Sequence, residues 1–178
     1  KHMIWVDQFS NLTDDYLQLN SDAAKATYST CWGTMNTTDA TIATGGTLDV
    51  NNDHIIYVFS NRQGFSKIGS YKGNGNADGP FVYTSFKPAF VIAKLSSDSG
   101  NSWNIFDNKR EGYNPDNDPL FADVNGAETT TDYLDFLSNG FKIRRNSSDI
   151  NSSGETYIYM AFAESPFVNS NGVPNNAK

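Results

Sequence analysis

Short runs in which apolar and polar residues alternate recur along this chain, and Gly, Asn, Asp or Pro bounds each of them. A period of two places alternate side chains on the same face of an extended strand, whereas a helix needs a period near 3.6. The runs predict strands at residues 4–6, 16–19, 55–59, 67–71, 81–86, 90–95, 103–106, 140–144 and 156–162. A short helix is predicted only at residues 130–137. Because no pattern of alternating strands and helices emerges, we predict an all-β, antiparallel β-sandwich of the jelly-roll or lectin-like type.

The composition favours the same fold class. The chain has 178 residues, and its acidic residues are sixteen Asp and only four Glu. Asp suits turns and strand ends, whereas Glu suits helices. Residues 90–93 and 158–162 are apolar on both faces, as in central strands that are covered on either side. We therefore expect Tyr57, Val58, Ile158 and Met160 in the shared core.

Two pairs of segments indicate an internal repeat. Residues 54–59 align without a gap on residues 156–161, and residues 16–20 align on residues 119–123. Both pairs are separated by about one hundred residues, which is longer than the common solenoid repeats. The sequence thus predicts that the paired segments occupy equivalent places in the fold.

A series of ordered motifs covers most of the chain after residue 63. They lie at residues 64–75, 79–83, 86–91, 103, 106–110, 112–115, 135–142, 154–164 and 166–167. Together they resemble a repeat domain of virion and tail-fibre proteins of tailed phages, many of them phages of marine bacteria. The resemblance implies a location in the virion tail, outside the cell when the protein acts.

The resemblance also divides the chain. Residues 64–168 match a full repeat unit, and residues 4–63 match a partial, degenerate first unit that packs on it. Residues 1–3 look like a cloning remnant, and residues 169–178 read as a flexible C-terminal tail. The family's fibre architecture implies other virion tail proteins as partners and a homo-oligomer in the intact protein, which we expect to be a trimer.

Charge and residue counts exclude several kinds of function. The net charge of −7 argues against nucleic acid and anionic membranes as partners, since both favour a basic surface. No apolar run approaches the roughly 20 residues that span a bilayer, so we expect no membrane insertion. With His2 set aside as part of the cloning remnant, one Cys and one His remain, so a three- or four-ligand transition-metal site cannot be built from these residue types. His54 begins a predicted strand, where an ordinary surface histidine is the simpler interpretation. We expect no cofactor and no enzymatic activity.

Calcium is the metal that the motifs leave open. Asp149, Asn151 and Ser153 have the first oxygen spacings of an EF-hand loop, and Gly154 stands at its sixth position. Position twelve is Met160 instead of Glu, and a strand follows where a helix is required. A turn between strands is the better interpretation of these weak calcium candidates.

The best candidate for ligand binding is the polar loop that follows residue 106. An aromatic face can cover the apolar face of a sugar while planar polar groups bind its hydroxyls. The candidate ligand-binding residues are Trp103, Asp107, Lys109, Arg110, Tyr113 and Asn114. Alternatively, the aromatic residues belong to the core and the charges only form ion pairs.

The sequence therefore predicts a non-enzymatic domain of a phage tail fibre or spike that recognises the host surface. A host-cell glycan is the expected ligand, because exposed loops on a rigid β scaffold suit such binding. A purely structural repeat that spaces or assembles the fibre is the alternative. A glycan-degrading enzyme is a third hypothesis, because a suitable pair of carboxylates is almost unavoidable among twenty acidic residues.

Overall fold

The computed structural model describes residues 2–29, 31–36, 38–42, 53–110, 114 and 118–165. Its elements run in the order β1 (Met3–Ile4), β2 (Asp15–Gln18), β3 (Ala26–Thr27), β4 (Trp32–Met35), β5 (Ala40–Ile42), β6 (Ser66–Lys72), β7 (Phe81–Tyr83), β8 (Pro88–Leu95), β9 (Asn104–Asp107), β10 (Leu120–Phe121), β11 (Leu134–Leu137), β12 (Gly140–Ile143), α1 (Ser148–Asn151) and β13 (Thr156–Ala163). Every pairing between these strands is antiparallel. The predicted all-β, sandwich-like fold is confirmed.

A five-stranded sheet lies at the centre, in the order β10-β9-β8-β13-β6. The two eight-residue strands β8 and β13 pair along most of their length, and their register shifts between Phe162 and Ala163. On the other side β13 pairs with β6, from Thr156 opposite Lys72 to Phe162 opposite Ser66. One edge of the central sheet is therefore β6.

One face of the central sheet packs against a second layer. Tyr157, Tyr159 and Ala161 of β13 point to this face, as do Val91 and Ala93 of β8, and all are buried. The sheet β11-β12-β7 and α1 cover them with apolar side chains such as Phe136, Phe141 and Ile150. Tyr71 and Tyr157 stack in this core with their ring centres 5.1 Å apart.

The opposite face of the central sheet carries the N-terminal layer. Ile92 and Ile158, at even-numbered positions of the chain, lie in a second core with Val6, Phe9 and Leu17. This layer contains the sheet β1-β2-β3. Side chains alternate between the two faces of a strand, so residues 90–93 and 158–162 contribute to both cores. This agrees with the prediction that both faces of these strands are covered. Met160 is partly buried against this second core, and Ile158 is buried in it, as expected.

Residues 55–59 correct the sequence prediction. They form no strand in the structure, and Tyr57 and Val58 are exposed instead of buried. The predicted equivalence of residues 54–59 and 156–161 is wrong for the same reason, because residues 156–161 lie in β13. The second matched pair also fails. Residues 16–18 lie in β2, the middle strand of a three-stranded sheet, whereas Leu120 and Phe121 form β10 at an edge of the central sheet.

The expected helix at residues 130–137 is also absent. Leu134–Leu137 is β11, in which Leu134 and Phe136 are buried and pair with Ile143 and Phe141. Period-two burial against a neighbouring strand overrides the weak helical propensity of this stretch. The helix that the described residues do contain is α1, four residues long. No helix in the described part of the chain is long and apolar enough to cross a membrane.

The remaining predictions concern the ends of the chain. Met3 pairs with Gln18 in β1, and the carbonyl of His2 accepts a hydrogen bond from the Leu19 amide at 2.8 Å. These two residues, set aside as a cloning remnant, thus take part in the fold. The predicted tail at residues 169–178 lies outside the described residues.

Candidate functional site

The charged loop after β9 is organised by Arg110. Its guanidinium lies 2.5 Å from the Asp107 carboxylate and 2.8 Å from that of Glu128, and it also donates to the backbone carbonyls of Ile105 and Asp118. Burial raises the pKa of Asp107, but hydrogen bonds from Arg110 and from two backbone amides outweigh burial and hold that pKa below its ordinary value. The donors of Arg110 are therefore used within the protein.

Trp103 corrects the predicted sugar platform. Its side chain is only 3% exposed and packs in the second core. Its indole Nε1–H donates to the carbonyl of Gln18 at 2.8 Å, and its backbone amide donates to Asp123 at 2.9 Å. The ring is buried because it joins the N-terminal layer to the central sheet, so it has no open face for a ligand.

The other loop residues do not converge with Trp103. Asn114 has a φ of 47° and pairs with the backbone of Phe136 in β11, donating at 2.8 Å and accepting at 2.7 Å. The Asn114 side chain thus makes the two backbone hydrogen bonds with Phe136 that a neighbouring strand would otherwise make. Lys109 is exposed, and Tyr113 lies outside the described residues. The loop does not present the predicted combination of aromatic and polar groups in the part that the structure describes.

The calcium candidates are used structurally. Asn151 is fully buried, and its amide donates to the carbonyls of Asn76 and Arg145 at 2.7 and 2.8 Å. One carboxylate oxygen of Asp149 accepts from Ser147 and Tyr133 at 2.8 and 3.1 Å. Ser153 is exposed. Among the described residues, no three His, Cys, Asp or Glu side chains lie close enough together to hold a metal ion.

A cleft of about 210 Å³ lies where the N-terminal layer meets the β6 side of the central sheet. Ser70 of β6 and Ile158 of β13, which are opposite each other in the sheet, form part of its lining. The full lining is Gln8, Phe9, Ser10, Lys25, Ser70, Ser96, Ser97, Thr156 and Ile158. Five of these nine side chains carry a hydroxyl group, so the cleft is rich in groups that both donate and accept hydrogen bonds.

Asp15 holds the wall of the cleft in place. Asp15 as a whole is only 1% exposed, and its carboxylate forms an ion pair with Lys25. The Thr27 hydroxyl donates to it at 2.7 Å and the Asn11 amide at 3.1 Å. Burial raises the pKa of Asp15, but the hydrogen bonds from Lys25 and Thr27 outweigh burial and lower that pKa below its ordinary value.

The charge of the cleft is therefore nearly balanced. Lys25 is neutralised by Asp15, and its ammonium lies 5.8 Å from the ring centre of Phe9. Ser97 accepts a hydrogen bond from the Thr156 amide at 2.9 Å and donates to Glu155 at 2.6 Å. Ser70 is exposed on the strand. The arrangement suits a small, neutral, hydroxyl-bearing ligand better than a strongly charged one.

A second, shallower depression lies between the loop before β11 and the residues after β12. It is lined by Ala77, Thr130, Thr131, Asp132, Arg144, Arg145 and Asn146. Arg144 forms an ion pair with Asp135, and Arg145 lies over the ring of Tyr133 at 5.2 Å. Both arginines therefore already have partners in the protein.

Sequence reasoning missed the cleft. Its lining comes from five separate stretches between residues 8 and 158, and four of its nine members are serines in a serine-rich chain. No local motif links Gln8 to Ser70 or Thr156.

No curated protein sequence and no solved structure matches this chain. One family model does match, and it covers residues 1–166 without interruption. The match includes the N-terminal layer, the cleft and both cores. The chain therefore belongs to the family described as a domain of unknown function, DUF7483.

Proposed function

We propose that this chain is a non-enzymatic recognition domain of a phage tail fibre or spike, and that it binds a glycan of the host surface in the cleft between its N-terminal layer and β6. In this proposal the protein belongs to the virion tail, has other tail proteins as neighbours and forms a homotrimer in the intact fibre. The resemblance of residues 64–167 to tail-fibre repeats supports the virion setting.

The observation that carries the proposal is the chemistry of the cleft. A volume of about 210 Å³ fits one sugar residue, and hydroxyl groups with an amide from Gln8 can exchange hydrogen bonds with sugar hydroxyls. The side chains of Ser97 and Asp15 are fixed by neighbours, so part of the site is preorganised. Weak single sites of this kind gain strength when several copies act together on a fibre.

A neutral glycan is the proposed ligand class. The chain carries a net charge of −7, which repels an acidic polysaccharide. The positive charge nearest the cleft, Lys25, is paired with Asp15 and offers little compensation.

A structural role is the second candidate, in which the domain spaces or assembles the fibre and binds only its own copies. A glycan-degrading activity receives less support. Asp15, the carboxylate beside the cleft, is buried and paired, and Glu155 is hydrogen-bonded to Ser97. Neither carboxylate is placed to protonate a ligand in the cleft.

Binding of fluorescent, multivalent protein to a glycan array tests the proposal. We expect wild-type protein to bind a set of neutral glycans and Ser70→Trp, which fills the cleft from an exposed strand position, to lose that binding. Ser99→Trp is the matched control, because Ser99 lies exposed in a turn and does not line the cleft. An array on which the wild type binds nothing would favour the structural role.

A further inference from the structure

The outer face of the sheet β11-β12-β7 displays two aromatic side chains to solvent. Phe81 is 45% exposed and Tyr83 is 60% exposed, whereas Val82 between them is buried. Because side chains alternate between the two faces of a strand, both rings lie on the same face of β7, about 6.7 Å apart along the strand. β7 is an edge strand of its sheet. The two rings therefore form a short line along the border of this sheet.

The strand register places a row of charged side chains beside this aromatic line. Phe81 is opposite Lys142 of β12, and Lys142 is in turn opposite Asp135 of β11. In the next row Tyr83 is opposite Gly140, which has no side chain. Two ring atoms of Phe81 lie 3.0 Å from the point where a Cβ on Gly140 would stand, so this ring leans over the backbone of β12. One side of the Phe81 ring thus rests on the sheet, and the other is open to solvent.

The charges beside the aromatic line are neutralised within the protein. The Lys142 ammonium lies 2.7 Å from the Asp78 carboxylate, and the Arg144 guanidinium forms an ion pair with Asp135. Because these four groups carry no net charge together, a strongly charged ligand would gain little from them. The hydroxyl of Tyr83 and the terminal nitrogens of Arg144, whose side chain is 43% exposed, can still exchange hydrogen bonds with a neutral ligand.

The size and chemistry of the aromatic line select a carbohydrate over a protein partner. At about 200 Å² for each aromatic side chain, the exposed parts of Phe81 and Tyr83 amount to on the order of 200 Å². A stable protein interface buries about 800 Å² on each side, which is several times more. Apolar ring faces with hydrogen-bonding groups at their border suit a ligand that has an apolar C–H face and a polar rim. A sugar ring has this character.

We infer that Phe81 and Tyr83 form a second carbohydrate-binding surface, on which adjoining units of a neutral glycan chain stack. The rings lie in line along β7, so a chain can cover both of them whereas a single sugar covers one. This surface belongs to the layer on one face of the central sheet, and the cleft lies on the opposite face. The inference extends the proposed function to a second site, but it does not depend on binding in the cleft. Two weak sites on one domain would add to the avidity of a fibre.

A titration of ¹⁵N-labelled protein tests this inference, with di- and tetrasaccharides of glucose, galactose, mannose and N-acetylglucosamine as probes. We expect at least one tetrasaccharide to shift the amides of residues 81–83 and 140–142, which lie beneath the rings. The corresponding disaccharide should bind this surface about tenfold more weakly, because it gives up most of the contact with one ring.

Ring-specific variants separate stacking from other causes of binding. Tyr83→Ala should weaken binding of the tetrasaccharide about tenfold, and Tyr83→Phe, which keeps the ring, should lose less. Phe81→Leu provides a second loss of a ring, and its side chain still covers Gly140. Tyr28→Ala is the matched control, since Tyr28 is a 45% exposed tyrosine that follows β3 in the N-terminal layer; this variant should bind like the wild type.

The positions of the shifts decide between the two sites. Shifts only at the cleft amides of Ser70, Ser97 and Thr156 would overturn this inference and leave the proposed cleft intact. Shifts around β7 without shifts in the cleft would support it and count against the cleft. Shifts around β7 that Tyr83→Ala and Phe81→Leu leave unchanged would overturn it, as would the absence of shifts with every probe. A dimer in sedimentation velocity that Tyr83→Ala dissociates would show that the rings join copies of the chain, which also overturns it.

Discussion

The indole Nε1–H of Trp103 donates to the carbonyl of Gln18 across 85 positions of the chain, at 2.8 Å. Gln18 ends β2 in the N-terminal layer, whereas Trp103 directly precedes β9 of the central sheet. This hydrogen bond and the burial of the ring hold the two layers together. The layers in turn form the cleft, so the integrity of the proposed site depends on a residue that does not touch the ligand.

Replacing Trp103 tests this role. Trp103→Ala should lower the free energy of unfolding by about 3–5 kcal/mol, because it removes a fully packed ring and leaves a cavity. Trp103→Phe keeps an aromatic ring and should cost less. Urea denaturation followed by circular dichroism measures both. Tyr83→Ala is the control, since Tyr83 is 60% exposed and its loss should cost under about 1 kcal/mol. Equal losses of stability for Trp103→Ala and Tyr83→Ala would contradict the role of Trp103 in holding the two layers together.

Asp15 should make stability depend on pH. Its pKa in the folded protein lies below the ordinary 3.8, so it contributes stability above that value, and the contribution is lost as the pH falls through the folded pKa. Asp15→Asn should lower stability by about 2 kcal/mol at pH 7, because the ion pair and its hydrogen bonds are weakened. Between about pH 5 and pH 3 its stability should fall less steeply than that of the wild type. Parallel pH profiles for the two proteins would show that Asp15 is not the responsible group.

Asn151 should contribute to the stability of the folded protein and should not bind a metal ion. Asn151→Ala should cost about 2–3 kcal/mol, because it removes the hydrogen bonds that the buried Asn151 side chain makes with the backbone amide of Asn74 and with the carbonyls of Asn76 and Arg145. Ser153→Ala, at an exposed position, should change stability by under about 0.5 kcal/mol. Millimolar calcium or EDTA should leave the melting temperature unchanged. A calcium-dependent rise in melting temperature that Ser153→Ala abolishes would reinstate the EF-hand-like site.

Arg110 should need its planar, forked head group. Arg110→Lys keeps the charge but cannot reach Asp107, Glu128 and two backbone carbonyls together, so we expect a loss of about 1–2 kcal/mol. Lys109→Ala, one residue away and exposed, is the control and should be close to neutral. Thermal unfolding of both variants in the same buffer compares their stabilities with that of the wild type. If Arg110→Lys were as stable as the control, the loop would not depend on this network.

The sequence predicts the central part of the fold well, because the signal there is physical and local. Residues 90–93 and 158–162 are apolar at odd and even positions, and only a strand covered on both faces can bury both sets. The same reasoning fails at residues 55–59. Their apolar pattern is as strong as that of β13, but no strand pairs with them in the described chain, and the pattern does not reveal what covers them.

The candidate site was less predictable. Trp103 has the residue type of a sugar site, yet its partner Gln18 lies 85 positions away in the sequence. Arg110 pairs with its near neighbour Asp107, as the alternative of ion-paired charges allows, but its second acidic partner, Glu128, lies 18 positions away. No local sequence pattern predicts the two distant partners. The cleft presents the opposite difficulty, because Ser70 and Ser97 look ordinary in sequence and become neighbours only through the packing of separate layers.

The most direct test of the central claim is a titration of ¹⁵N-labelled protein with neutral oligosaccharides of glucose, galactose, mannose and N-acetylglucosamine, followed by amide chemical shifts. The account predicts that one or more of these sugars shifts the amides of Ser70, Ser97 and Thr156, and that Ser70→Trp abolishes the shifts while Ser99→Trp keeps them. Shifts confined to the loop around Lys109 would place the site where the sequence first suggested it. No shift at millimolar concentrations of any of these sugars would contradict glycan recognition by the cleft.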